Sequence, residues 1–561
     1  MELVHNGVLF HDSFESKGFN KINGTSISLL AEQMLWMYSS YAFKEKYSKD
    51  DVFVENAWRD IKSQLPLDLQ KLQFPNDFNE LFLKMRAVNA NLKLQKSEYN
   101  KLHKSEIDEK KKDEKEKYGY CYKNGEKTEI SNPYVEDCRF FISRGNLRGS
   151  WVSSVQPEDV EINASDDVPC TLNGHHWKHI ELKNVDYIAK YKINVGFGKA
   201  YIDKFVWLSV NSKDKQNDNL NKFEKARKLL LKIDDIEKQV IKDCSAKNQL
   251  KKENALITYI VLTFGIRIGN EHKNNIRDND VRGASTLCVE NMHLHETNKI
   301  SLNFKGKDSI LFSETYDVNP TVYNAFKKQI EGKKSTDKIY DYANSVTVND
   351  YLKSIYDGDI SIKTFRTAKC CLTLAKEIQS RNWKNLTDKE FKNNLMHCCL
   401  QTSLLLNHHK TITDEQKEKL KDSSLDKLRN AEFTMNKVIE NSNKKIKNLK
   451  QAEKDFKSCL DGEFLNKKLV ELELKEKEQL NKIKSARKKY EDIQKEVQFK
   501  LDSQSINLST SLNAYSQPKL PISLCKYADK DPSIIYSKNQ LKKFEWAMNV
   551  NKDYWKKYPN V

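Results

Sequence analysis

The sequence predicts an α+β multidomain protein. It reads as a mixed α/β N-terminal region, a mainly helical centre, a long antiparallel two-helix arm and a small helical C-terminal piece. Three observations carry that expectation. A chain of 561 residues is long enough for two to four domains with cores of their own. Between residues 119 and about 210 the texture is short β-like pieces broken by turn residues, whereas the flanking stretches are periodic at helical spacing. Residues 411–497 repeat apolar side chains every 3.5 residues on both sides of one break.

The elements follow in chain order. Residues 26–40 (SISLLAEQMLWMYSS) have the spacing of an amphipathic helix, and 84–118 are charged and helical in pattern, which fits a solvated helix face. Pieces such as CRFFISRGNLRGSW, EDVEINASDDVPC, YIAKYKINVGF and KFVWLSV then suit a mixed domain rich in exposed Arg, Lys and aromatics. From 212 to 410 the chain is mainly helical around residues 253–271 (ENALITYIVLTFGIRIGNE). This run is apolar nearly all round, so it predicts a buried core helix with Arg267 at about its last turn. One hairpin interrupts: Ile300, Leu302 and Phe304 alternate, Gly306-Lys307-Asp308 turns, and Ile310 and Phe312 alternate again.

In the arm, Ile439, Ile446, Leu449, Phe456 and Leu460 form a seam that Asp461-Gly462-Glu463 breaks. Ile483, Ala486, Tyr490, Ile493 and Val497 resume it. So short a connection makes the two helices antiparallel, a spacer without chemistry of its own. The last piece, 498–561, holds NLSTSLNAYSQP and the helix-like SKNQLKKFEWAMNV. It must fold back on the body to bury its apolar face, which brings Tyr515 beside the core.

Composition narrows the function. The net charge of +17 favours a polyanionic partner, nucleic acid or an acidic membrane surface. There is no run of 18 apolar residues, and MELVHNGVLFHDSFE has neither basic flank nor signal core, so a soluble, non-secreted protein without a membrane is expected. Eleven cysteines with adjacent pairs and no CxxC argue against a disulfide framework or zinc ribbon, and for a reducing compartment.

Five polar residues stand out in order: Arg267, Lys307, Arg366 in KTFR, His408 in LNHHK, and Tyr515. A guanidinium ending a core helix needs an anion; Glu271, four residues on, is one candidate and a phosphate the other. Together the five fit metal-free transesterification of a phosphodiester. A phenol can attack and store the ester, two arginines and a histidine can hold the phosphorane oxygens, and a lysine can protonate the leaving oxygen. Acidic pairs Asp278/Asp280 and Asp357/Asp359 have DxD spacing, but neither setting demands Mg²⁺, and no metal or cofactor is expected. No GxxxxGK[ST] is present.

Twelve segments, in order, resemble the eukaryotic-type (type IB) DNA topoisomerases: FVENAWRDIKSQL, EKYGYCYKNGEK, SRGNLRGSW, QPEDVEIN, GHHWKHIEL, KFEKARKLL, FGIRIGNE, FKGKDSI, KTFRT, LNHHK, STSLNAYSQPKL and IIYSKNQLKKFEWAM. The resemblance spans about residues 5–555. It implies a clamp around double-stranded DNA: a DNA-binding cap (1–211), a catalytic core (212–410), a coiled-coil linker (411–497) and a tyrosine domain (498–561). It implies a monomer that relaxes supercoils of both signs through a 3′-phosphotyrosyl intermediate, without ATP. It places the catalytic set on Arg267, Lys307, Arg366, His408 (which directly follows Asn407) and Tyr515, the one tyrosine before xx-Pro in its segment. Further DNA contacts fall on Arg144, Asp308 and Lys363. The expected location is the nucleus, or the cytoplasm or virion if the host is viral. The family's asparagine beside the nucleophile is replaced, since Ala514 and Ser516 flank Tyr515, which implies reduced sensitivity to camptothecin-like poisons.

Two other readings remain open on the residues. A tyrosine recombinase shares the chemistry, but normally carries His-x-x-Arg where this chain has Lys363-Thr-Phe-Arg366. It also lacks the large cap and the arm. A non-catalytic DNA scaffold has no reason to keep all five acting groups.

Overall fold

A computed structural model describes residues 2–143, 145–172, 174–183, 185–269, 281–459 and 462–560, with the side chain of Asp308 outside the description. Arg144, Glu271, Asp278 and Asp280 therefore lie outside the described residues, as do Leu460 and Asp461 of the arm.

The N-terminal part is mixed. Helices α1 (Leu29–Ser39), α2 (Asp51–Lys62), α3 (Asn79–Leu102) and α4 (Lys104–Tyr118) precede or interleave with two larger sheets, beside a two-stranded pair at Lys21–Ile22 and Thr25–Ser26. α1 begins at Leu29 because Ser28 accepts a hydrogen bond from Ala31 N at 3.1 Å. The charged stretch is two helices divided at His103, and from Leu92 to Lys117 their side chains are largely exposed. The first sheet pairs β1 (Leu3–His5), β2 (Tyr120–Lys123) and β3 (Glu126–Glu129) in that order. The second has six strands: β4 (Arg139–Phe140), β5 (Trp151–Val152), β6 (Val160–Asn163), β7 (Lys178–Ile180), β8 (Tyr187–Val195) and β9 (Ala200–Trp207). β8 organises it, pairing antiparallel with β5, β6 and β9.

Two of the quoted segments meet here. Asn56 Nδ2 on α2 donates to the carbonyls of Asn146 (2.7 Å) and Arg148 (2.9 Å), and Asp60 accepts from Trp151 N at 2.8 Å. Gly149 permits this approach: its φ is +87° and an added Cβ would lie 2.6 Å from Phe53 Cα. FVENAWRDIKSQL and SRGNLRGSW are thus two sides of one joint.

The centre is helical: α5 (Lys213–Leu230), α6 (Ile233–Asp243), α7 (Gln249–Phe264), α8 (Pro320–Ile330), α9 (Ser345–Ile355), α10 (Ile362–Gln379) and α11 (Asp388–Leu405). α7 is buried nearly all round, as its sequence predicts. It ends earlier than the apolar run does. Gly265 adopts φ +64° and stops the helix, and Ile266–Ile268 continue as extended chain hydrogen-bonded to Ala284 and Ser285. Arg267 therefore follows the helix and is not in its last turn. The predicted hairpin is present as β11 (Lys299–Lys305) and β12 (Leu311–Asp317), with a third strand, β10 (Met292–His295), on the far edge of β11.

α12 (Asp414–Cys459) and α13 (Gly462–Asp502) run back along each other. Ile439, Ile446, Leu449, Phe456, Ile483, Ala486, Tyr490 and Ile493 are half-buried along their contact and Val497 is buried. The base of the arm is tied to α11, through Lys389–Glu496 (3.0 Å) and Lys488–Glu390 (3.1 Å). The chain closes with α14 (Leu508–Ala514), α15 (Lys519–Tyr527), α16 (Lys538–Lys543) and α17 (Tyr554–Lys557). The helix-like stretch 537–550 is helical only over α16 and then turns. Leu512, Leu520, Tyr536, Phe544 and Trp555 join one core with Phe223, Leu256, Phe365 and Leu395 of the central helices. The C-terminal piece does fold back on the body.

Candidate active site

The site forms where three helices end. α7, α11 and α14 all point their C-termini, with unpaired carbonyls and partial negative charge, toward one place. Cations and amides answer them. Lys369 Nζ donates to Leu262 O, Asn407 Nδ2 to Phe264 O (3.2 Å) and Arg366 Nε to Gly265 O (3.0 Å). Arg366 Nη2 donates to Leu406 O at 2.9 Å. A guanidinium 5% exposed is thereby held in one orientation by two carbonyls, with no carboxylate paired to it among the described residues. Its remaining nitrogen, Nη1, reaches Tyr515 Oη at 3.4 Å, and the guanidinium carbon lies 5.2 Å from the Tyr515 ring centre.

Tyr515 caps α14, which Asn507 starts by accepting from Thr510 N. The His408 ring stands 5.2 Å from the Tyr515 ring. His408 Nδ1 is hydrogen-bonded to Ser511 Oγ at 2.7 Å, while the buried Nε2 has no hydrogen-bond partner among the described residues. Burial first, then the nearby charges of Arg366, Arg267, His409 and Lys307, push the imidazole down to about 3, so it is neutral at working pH. Burial likewise lowers Arg366 to about 10, opposed by Tyr515 and assisted by Arg267. It stays charged.

Around these groups lies a cavity of about 130 Å³, well beyond the roughly 10–15 Å³ a single water requires. Arg267, Arg282, Lys307, Arg366, His408 and His409 line it, with no carboxylate among the described lining residues. Lys307 opens a single 3-10 turn, Lys307–Ser309, at the hairpin tip, closed by Gly306 N donating to Ile310 O (2.7 Å). An anion is the ligand such a site fits.

Three family models match this chain in succession. The eukaryotic DNA topoisomerase I DNA binding fragment matches residues 1–208, the eukaryotic DNA topoisomerase I catalytic core matches 211–446, and the C-terminal topoisomerase domain matches 487–556. The chain belongs to the eukaryotic DNA topoisomerase I family. Among its relatives, DNA topoisomerase 1 beta of Arabidopsis thaliana is 28% identical over 98% of this chain and 59% of that protein. DNA topoisomerase I, mitochondrial, of Rattus norvegicus is 27% identical over 98% of this chain and 91% of its own length. DNA topoisomerase 1 of Homo sapiens is 26% identical, over 98% and 71%. The chain spans about 59% of the length of the two Arabidopsis relatives.

All five residues that the family resemblance singled out converge here. Arg267, Lys307, Arg366 and His408 line the cavity, and Tyr515 packs on the last two. The neighbouring tyrosines lie elsewhere: Tyr536 is fully buried in the core and Tyr527 packs on Trp555. Lys363 is exposed one turn before Arg366 and does not line the cavity. Asp308 lies in the Lys307–Ser309 turn, its side chain outside the described residues, as is all of Arg144. Of the acidic pairs, Asp359 is exposed and paired with Lys225. Sequence reading missed Arg282, whose backbone N donates to Lys305 O at 2.8 Å, and Ser511 behind His408. Neither carries a sequence signal; each is found only by its place in space.

Proposed function

We propose that this chain is a type IB DNA topoisomerase that relaxes positive and negative supercoils without ATP or metal. The observation that carries the reading is the phenol of Tyr515 against Arg366 and His408, at the edge of a cavity whose charged lining residues, among those described, are all basic. The phenolic oxygen of Tyr515 bonds to a backbone phosphorus as the bond to the 5′ oxygen breaks, and its proton passes to solvent water. Arg366, fixed by Gly265 O and Leu406 O, meets the phosphorane oxygens in a preset orientation, which is where electrostatic catalysis gains most. Arg267 is the second cation. In the tautomer in which Ser511 Oγ donates to Nδ1, His408 carries its proton on Nε2 and is a neutral donor to the same oxygens. Lys307 protonates the departing 5′ oxygen. The 3′-phosphotyrosyl ester conserves the bond energy, the free end rotates, and the 5′-hydroxyl reverses the step.

Around that chemistry we place a cap (1–211), a catalytic core (212–410), a coiled-coil linker (411–497) and a tyrosine domain (498–561), closing as a monomeric clamp on duplex DNA. Arg144, Asp308 and Lys363 contact DNA near the cleaved step. The nucleus is the compartment this reading supports, though one relative is named as mitochondrial. Because Ala514 and Ser516 flank Tyr515, camptothecin-like poisons are expected to trap less cleaved DNA than in a sensitive relative.

The test is relaxation of negatively supercoiled plasmid in EDTA without ATP, beside Tyr515→Phe. Relaxation by the wild type and none by the variant is expected. Activity surviving in Tyr515→Phe moves the nucleophile elsewhere, and no relaxation by the wild type defeats the assignment.

A further inference from the structure

Two quoted segments, KFEKARKLL and IIYSKNQLKKFEWAM, have no part in the chemistry above, yet each sends a lysine to the same turn. Lys222 Nζ, on α5, donates to Ala514 O at 3.0 Å and to Asn219 Oδ1 at 3.2 Å. Lys543 Nζ, ending α16, donates to Asn513 O at 2.9 Å, and Gln540 Nε2 donates to Asn513 Oδ1 at 2.6 Å. Asn513 and Ala514 are the last residues of α14, the seven-residue helix that ends at Tyr515. So short a helix is marginal alone, and its last carbonyls have no donor within it.

The arrangement costs more than a cap requires. Burial holds both ammonium groups below the usual lysine value, Lys222 to about 8, and the nearby charge of Lys543 adds to the effect on Lys222. No carboxylate bears on either ammonium among the described residues. Two partly desolvated ammonium groups aimed at adjacent carbonyls are more than the end of one short helix needs, which a purely structural cap would meet with one lysine or with water. From the other side, Cys371 Sγ donates to Tyr515 O at 3.2 Å, so the backbone carrying the phenol is gripped from α5, α10 and α16 together.

We propose that Lys222 and Lys543 are positioning residues for Tyr515. Arriving from two distant segments, they grip the end of α14 and fix the direction of the phenol toward Arg366 and His408. The inference rests on Tyr515 being the nucleophile.

Its test is the single-turnover rate of covalent adduct formation on saturating duplex DNA, measured with duplex Kd and thermal melting. The proteins compared are wild type, Tyr515→Phe, Lys222→Met, Lys543→Met and Lys222→Arg. Each Met variant is expected to slow adduct formation on the order of 10- to 100-fold with Kd unchanged, the effect a small misplacement of a reacting group produces. Lys222→Arg, which keeps a charged donor, should recover most of the rate. Wild-type rates in both Met variants overturn the inference. A loss confined to Kd also overturns it, making the lysines phosphate contacts instead. If Lys222→Met does not fold, Lys543→Met with Lys543→Arg decides the matter by the same criteria. No adduct from the wild type removes the nucleophile assignment and this inference with it, whereas full-rate adduct from the variants removes this inference alone.

Discussion

His408 shows how much of the site is decided by environment. Its place in LNHHK was legible, but its charge state was not, because burial suppresses protonation first and the charges of Arg366, Arg267 and Lys307 that add to it come from distant parts of the chain. With a folded pKa of about 3 against 6.5, the unfolded chain binds the proton first as pH falls. His408 therefore contributes stability above pH 6.5 that is lost progressively as pH falls through its folded pKa. His408→Gln should flatten the acid limb of stability measured by denaturant melts. An NMR titration of the free wild type should show His408 neutral down to pH 5; a midpoint near 6.5 would contradict the neutral-donor role. In adduct formation His408→Ala should cost about 10²–10³-fold, the usual loss of one preorganised donor, and His408→Gln, which keeps a neutral donor, should cost less.

Elements were legible where periodicity alone decides them and illegible where burial continues past the helix. The two long helices of the arm and the hairpin appear where spacing puts them, and the buried helix does so except at its end. α7 was overextended because Ile266 and Ile268 are packed against the core in extended chain, so hydrophobicity does not change at the boundary. Gly265 marks it instead. Its φ of +64° favours glycine, an added Cβ would collide with Leu405 O, and its own carbonyl holds Arg366. Gly462, at the arm tip, shares the conformation (φ +71°) but has nothing within 4 Å. Gly462→Ala should cost about 1–2 kcal/mol and leave adduct formation unchanged. Gly265→Ala should cost more in melting and should also slow adduct formation by displacing Arg366. Equal effects of the two substitutions would mean that the α7 terminus does not position the arginine.

At the scale of the whole molecule the charge of +17 is shared by arm and body. The arm, 411–497, carries 22 lysines and arginines against 18 carboxylates, a net +4 that leaves +13 on the rest of the chain. Many arm lysines are also engaged within one helix, such as Lys475 with Glu471 and Lys482 with Glu478. Such exposed pairs contribute little to stability, but they lower the positive potential that a phosphate would meet. If DNA lies over the cavity, phosphate contacts should come from residues such as Arg282 and Lys363, and counterion release should make affinity fall steeply with salt. Between 50 and 200 mM salt the loss should be on the order of 10³–10⁵, with similar slopes on duplexes of unrelated sequence. Lys363→Gln should reduce that slope by about one, whereas Lys475→Gln should leave it near the wild-type value. Fluorescence anisotropy over a salt series measures both. A larger change from the arm substitution would place the duplex along the arm, and a shallow slope in the wild type would remove duplex DNA as the partner.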